Sequence, residues 1–313
     1  MRALWLEDNQ LTCRDDIPPP APDQHMLKVK VTYAGICGTD MELIRGYYNF
    51  RGIPGHEFTG LVVQGPEQWL NKRIVASINI GCGDCGFCNA GIPNHCANRR
   101  VVGIKDHPGA FAEFVSVPID NAFELPDDID EQSAVLVEPL AAALEILEQV
   151  SVNSGTRVLV AGAGRLAQLV MQVLANSSDH VDVLVRTPSR YASIEPLQVT
   201  PVEEPVGDYD LVVDCTGNPS MLDQVLKAVR PRGTVVMKST YTGRLSLDAS
   251  YIVVNELNLI GSRCGPFDKA ITWLREGRIK LSHITFKQFA LEDYEPALDA
   301  ARDPSVYKVL FRP

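Results

Sequence analysis

Apolar and polar positions alternate in short runs over the first third of the chain. Residues 26–33, 59–63, 73–78 and 111–117 are rich in β-branched and aromatic side chains and are bounded by Gly, Pro and Asn. Runs of that kind predict strands. The rhythm changes near residue 130. Residues 130–150 carry apolar side chains at helical spacing around an alanine-rich centre, predicting a long helix interrupted at Pro139. Beyond it, strand-like runs at 156–161, 181–185, 211–214 and 234–238 alternate with helical stretches at 166–175 and 221–229. Such alternation predicts βαβ units and a parallel sheet. Two further helices, at 269–276 and 292–302, precede a closing strand at 307–311.

Composition narrows the class. The 313 residues are 45% hydrophobic and 22% charged, which excludes wholesale disorder and leaves room for two domains. A net charge of −10 lacks the positive field that general nucleic-acid binding needs, so no nucleic-acid partner is expected. The most apolar stretch, 158–174, is broken by Arg165, Gln168 and Gln172, and no membrane span is expected. Glu7 and Asp8 fall where a secretory leader would be apolar. A soluble, cytoplasmic protein is the expectation.

Four of the eight cysteines lie together, Cys82, Cys85, Cys88 and Cys96, with spacing C-x2-C-x2-C-x7-C. Four thiolates at that interval, in a glycine-rich loop, suit a closed tetrahedral zinc site. An iron–sulfur run also opens C-x2-C-x2-C, but it closes after three residues with Cys-Pro. Here seven intervene and Ala97 follows Cys96, which favours zinc. A second, open site is suggested by Cys37 in GICGTD, His56 and Glu57 in GHEFTG, and Glu138 in VEP. One thiolate, one imidazole and one or two carboxylates suit a catalytic Zn²⁺. Taken singly, each also fits a plainer place: a core thiol, a satisfied buried imidazole, a helix N-terminal charge.

The run VLVAGAGRLAQLV supplies Gly162, Gly164 and Ala167 as G-x-G-x-x-A, after an apolar strand and opening a helix. That context is the one a dinucleotide fingerprint requires. The expected partner is a nicotinamide or flavin nucleotide.

Together, in this order, the GICGTD and GHE segments, the four-cysteine lobe and the glycine turn resemble the zinc-containing medium-chain dehydrogenase/reductase family. GAFAEFV (109–115), DCTGNP (214–219) and KVLF (308–311) extend the resemblance over nearly the whole chain. It implies an α/β protein with a β-rich, GroES-like catalytic domain, residues 1–139 with 263–313, and a Rossmann doubly wound parallel-sheet domain, 140–262. It also implies reversible hydride transfer between a small alcohol or polyol and a nicotinamide cofactor, with two zinc ions per chain. Cys37, His56 and Glu57 match the family's catalytic ligand positions, and Glu138 matches a position that is Cys or Glu among its branches. By the same resemblance Cys82, Cys85, Cys88 and Cys96 hold the structural zinc, Thr39 passes the proton outward, and Asp40 steadies the imidazole of His56. Thr216 and Lys308 fall at cofactor-contacting positions. Glu42 stands where many relatives have a relay histidine, and the span between Arg186 and Tyr209 is short for a full strand–helix–strand unit. A homodimer or homotetramer is implied, built on an apolar edge strand within 245–260.

Cofactor preference turns on the end of the second nucleotide-domain strand, where a carboxylate favours NAD. Asp182 sits early in that strand; its end carries Arg186, Thr187 and Arg190. Guanidinium and hydroxyl donors there suit a 2′-phosphate, so NADP(H) is expected over NAD(H). Two other readings remain at this stage: a non-catalytic zinc- and nucleotide-binding relative of the same fold, and a zinc-free quinone or enoyl reductase. The latter lacks the Cys37/His56 pair and the cysteine lobe.

Overall fold

The computed structural model describes residues 1–185, 194–205, 207–240 and 245–313. The chain forms two compact units, Met1–Glu138 with Ile284–Pro313, and Pro139–His283.

The first unit is β-rich, as its alternating pattern predicts. Its main sheet runs Ala122–Glu124, Arg73–Ala76, Glu57–Gln64, Met26–Gly35, Lys308–Phe311, Phe286–Phe289, and Phe114–Pro118 pairs with Met26–Gly35 as well. Met26–Gly35 is the hub. It is antiparallel to three partners, and Leu27, Val29 and Val31 on one face are buried. Phe111 and Phe311 meet edge to face across this core at 4.9 Å, a geometry that aromatic quadrupoles favour.

The second unit is a six-stranded, wholly parallel sheet in the order Thr200–Val202, His180–Leu184, Arg157–Ala161, Tyr209–Asp214, Val229–Met237, Asn258–Gly261. Counted along the chain this is 3-2-1-4-5-6, the doubly wound arrangement. Val158 to Ala161 are all at 0% exposure, because a central parallel strand is covered on both faces and reads as a continuous apolar run. The helix Arg165–Ala175 buries every residue from Ala167 to Leu174.

Three expectations need correction. Pro139 does not interrupt a helix. The helix Val137–Gln149 begins just before it, and Pro139 occupies the first turn, where its missing N–H has no partner to lose. The separate short helix Glu131–Ala134 precedes it, capped by Asp130, whose carboxylate accepts from Gln132 N and Ser133 N at 3.0 Å. The apolar segment 245–260 is not one strand. Asp248 caps the helix Ala249–Val254 by accepting from Tyr251 N at 3.0 Å, and only Asn258–Gly261 joins the sheet, at its edge. Finally, the chain re-enters the first unit at Ile284 rather than at residue 263. Backbone bonds hold the intervening segment to the second unit: Lys280 N donates to Gln172 Oε1 at 2.6 Å, and Asn176 Nδ2 to Arg278 O at 3.2 Å.

Candidate active site

Cys37 is the residue before the helix Gly38–Ile44, and the local sequence closes a reciprocal cap there. Asp40 Oδ2 accepts from Cys37 N at 2.8 Å, three residues back, as a capping box requires. The same carboxylate, fully buried, reaches a second segment: Asp40 Oδ1 accepts from Gly55 N at 3.3 Å and lies 3.2 Å from His56 Nδ1. A carboxylate only accepts, so His56 Nδ1 carries the proton and Nε2 is left for a ligand. Gly55 has φ +97°, and a Cβ there would lie 2.4 Å from the Phe111 ring. Glycine is needed at that turn for both reasons.

These turns bring Cys37, His56 and Glu57 into one group whose ligand atoms all lie within 4.8 Å of one another. The set is borderline-soft sulfur, nitrogen and oxygen, which suits zinc. Burial, followed by the charge of Glu57, pushes the Cys37 thiol up. Burial alone would lower His56, but the charges of Asp40 and Cys37 outweigh it and hold the imidazole well above its ordinary value. Both groups would have to shed a proton to become ligands, so a dication at this group would compete with protons. Thr39 Oγ1 lies 3.9 Å from Cys37 Sγ.

Three other residues singled out in the sequence are not members of this ligand group. Glu138, the second residue of the helix Val137–Gln149, is half-buried and does not join the ligand group. Glu42 pairs with Arg45 at 2.6 Å on the solvent side of its own helix. Lys308, expected at the cofactor, is 4% exposed and ion-paired through Nζ to Glu57 Oε2. Its stem runs over Gly35, where a Cβ would sit 2.6 Å from Lys308 Cε. No local signal could have revealed that pair, whose members are 251 positions apart. The i, i+3 spacing of Cys37 and Asp40, by contrast, marks the cap in the sequence itself.

The four-cysteine lobe gathers Cys82, Cys85, Cys88 and Cys96 with their sulfurs within 4.8 Å of one another, none in a disulfide. Cys85 and Cys88 sulfurs are 3.5 Å apart and those of Cys82 and Cys88 4.0 Å. Zinc–sulfur arms of about 2.3 Å set ligand sulfurs about 3.8 Å apart, so the cage fits the ion. Hydrogen bonds, from the Cys88 backbone foremost, bring the Cys85 thiol down to about 7, toward the thiolate a metal needs.

In the second unit Gly162 leaves the strand Arg157–Ala161 with φ +105°, and Gly164 precedes the helix Arg165–Ala175 without a side-chain cap. A Cβ at Gly164 would meet nothing within 4 Å. The turn is open beside uncapped helix N–H groups, which is what a pyrophosphate needs. Ala167 is buried against the sheet. Asp182 lies inside its strand, two residues before the end, and its carboxylate accepts from Tyr209 Oη at 2.6 Å. Arg186, Thr187 and Arg190 lie outside the described residues.

Residues 23–127 match the alcohol dehydrogenase GroES-like domain and residues 199–276 the zinc-binding dehydrogenase family. L-threonine 3-dehydrogenase of Pyrococcus abyssi is 30% identical over 95% of this chain and 93% of its own. Among solved structures, the rspB alcohol dehydrogenase of E. coli CFT073 in complex with NADH superposes with a TM-score of 0.91 at 27% identity, covering 100% of this chain and 99% of that one. A zinc-binding dehydrogenase of Sinorhizobium meliloti 1021 bound to NADP gives 0.89 at 28%, with coverage of 100% and 99%. The chain therefore belongs to the zinc-type medium-chain dehydrogenase/reductase family and is an oxidoreductase acting on alcohols.

Proposed function

We propose that the chain binds two zinc ions and transfers hydride reversibly between a small alcohol or polyol and NADP(H), as a cytoplasmic homodimer or homotetramer. The observation that carries this reading is the convergence of Cys37, His56 and Glu57 within 4.8 Å, with Asp40 fixing the imidazole from behind. The open site would be held by Cys37 Sγ, His56 Nε2 and the Glu57 carboxylate, and the closed one by the four cysteines of the lobe. Zinc held at the open site would supply Lewis-acid polarisation of the substrate oxygen. The chain's own part is to orient and to move protons. Asp40 keeps the His56 tautomer, Lys308 balances the buried charge of Glu57, and Thr39 beside Cys37 offers the hydroxyl through which a substrate proton leaves.

Elemental analysis should return two zinc ions per chain, and steady-state assays across an alcohol and polyol panel should show nicotinamide-dependent turnover that a chelator abolishes. Cys37→Ala should lose turnover while nucleotide still binds. Iron with sulfide, or turnover indifferent to Cys37, would defeat the reading.

The sequestration of Asp182 by Tyr209 supports the NADP(H) preference, because it removes the nearest carboxylate from the ribose end of the strand. The ratio of kcat/KM for NADPH over NADH should exceed one and reverse toward NADH in Arg186→Asp. A wild type that favours NADH would count against Arg186.

Supporting self-association, the edge strand Asn258–Gly261 pairs on one side only among the described residues, and Val253 and Val254, a few positions earlier in the chain, are 74% and 80% exposed.

A further inference from the structure

The strand Tyr209–Asp214 ends at the point where the strand order reverses, beside Arg157–Ala161. Its last residue, Asp214, is at 0% exposure. Asp214 Oδ1 accepts from Thr216 N at 3.0 Å and from Thr216 Oγ1 at 2.7 Å. A threonine hydroxyl has one proton and two lone pairs. The alternative acceptor for that proton, Asn218 O, is at 3.4 Å, and a carboxylate is the stronger partner. One lone pair accepts from Asn218 N at 3.1 Å, so among the described residues the hydroxyl keeps a single free lone pair and no free proton.

Two neighbouring turns lock the loop in place. Gly217 N donates to Ser239 Oγ at 2.9 Å, and Ser239 Oγ donates to Asp214 O at 3.3 Å, tying in the end of the next strand. A Cβ on Gly162 would lie 2.9 Å from Cys215 O and 3.4 Å from Thr216 Cα, so the glycine turn and this loop are in direct contact.

We propose that Asp214 is a positioning residue that turns the Thr216 hydroxyl proton inward, so that Thr216 meets the nicotinamide half of the cofactor as a hydrogen-bond acceptor. The proposal rests on the reading of this switch point as the dinucleotide site. Its partner on the cofactor is a donor, either a ribose hydroxyl or the carboxamide NH₂.

Fluorescence titration of the zinc-loaded protein with NADH, NADPH and their 3-acetylpyridine analogues, which lack the amide NH₂, tests it. Thr216→Val and Asp214→Ala should each weaken binding about fivefold, the worth of one net hydrogen bond. Thr216→Ser and Asp214→Asn keep the acceptor chain and should bind as wild type does. The double variant Asp214→Ala/Thr216→Val should bind no worse than Thr216→Val alone. A loss confined to the natural cofactors assigns the carboxamide; an equal loss with the analogues assigns the ribose. Unchanged binding in Thr216→Val, or losses that multiply in the double variant, overturn the proposal. Should Asp214→Ala fail to fold, the Thr216→Val and Thr216→Ser pair still decides. A wild type that binds neither NADH nor NADPH overturns the dinucleotide reading itself, before any variant is compared.

Discussion

His107 shows how one buried side chain sets a pH limit. It is 8% exposed, its Nε2 lies 2.7 Å from Ser116 O, and burial, aided by the charge of Arg100, holds its pKa below the ordinary 6.5. The neutral form is favoured in the folded chain, whereas the unfolded chain takes up a proton near pH 6.5. The stability from neutral His107 is therefore fully present above about pH 6.5 and is lost as pH falls through the lower, folded value. Thermal melts should show Tm falling below about pH 6.5, with a shallower fall in His107→Gln, whose amide still donates to Ser116 O. An unchanged slope in that variant would place the acid sensitivity elsewhere.

At the scale of elements, what was legible was what is local. The glycine turn after Arg157–Ala161, the four-cysteine spacing and the alternation of strand and helix each depend on neighbours within about twenty residues, and parallel pairing follows from crossovers such as Arg165–Ala175 and Leu222–Ala228 that carry the chain back along the sheet. Glu57, read from its GHE segment, lies beside Cys37 and His56. Misreadings arose where two signals compete. Pro139 looks like a breaker unless the helix starts at Val137, and the apolar 245–260 run looks like a strand unless Asp248 is seen as a cap. Lys308 was illegible because its role comes from register. Antiparallel pairing of Lys308–Phe311 with Met26–Gly35, itself paired with Glu57–Gln64, carries the ammonium to Glu57. Lys308→Met leaves a buried carboxylate without its cation and should cost about 3–5 kcal/mol in denaturant unfolding of the first unit. Much of that should return when Glu57→Gln is added. Nucleotide affinity should be unchanged in both, and a drop would restore Lys308 to the cofactor.

For the molecule as a whole, assembly is the property most open to test. Val253 and Val254 are exposed apolar side chains on an acidic protein, just before a strand whose outer edge is unpaired among the described residues. Burying a charge in such a contact is unfavourable, so Val254→Asp should convert a dimer to monomer in light scattering at micromolar concentration. A wild type already monomeric there would refute the assembly. Among the described residues no helix is long and apolar enough to cross a membrane.

The ion pair between Glu57 and Lys308 also orders events in time. The whole second unit is threaded between its two members. Closing so long a ring is entropically costly for an unstructured chain, and the contact rewards that cost only after closure. Prior folding of the inserted unit shortens the ring to be closed. On the ribosome that unit is complete before Lys308 emerges, whereas the sheet of the first unit still lacks the strand Lys308–Phe311, which joins Met26–Gly35 to Phe286–Phe289. The second unit is thus the natural first folder, and the group of Cys37, His56 and Glu57 the last part of the molecule to consolidate.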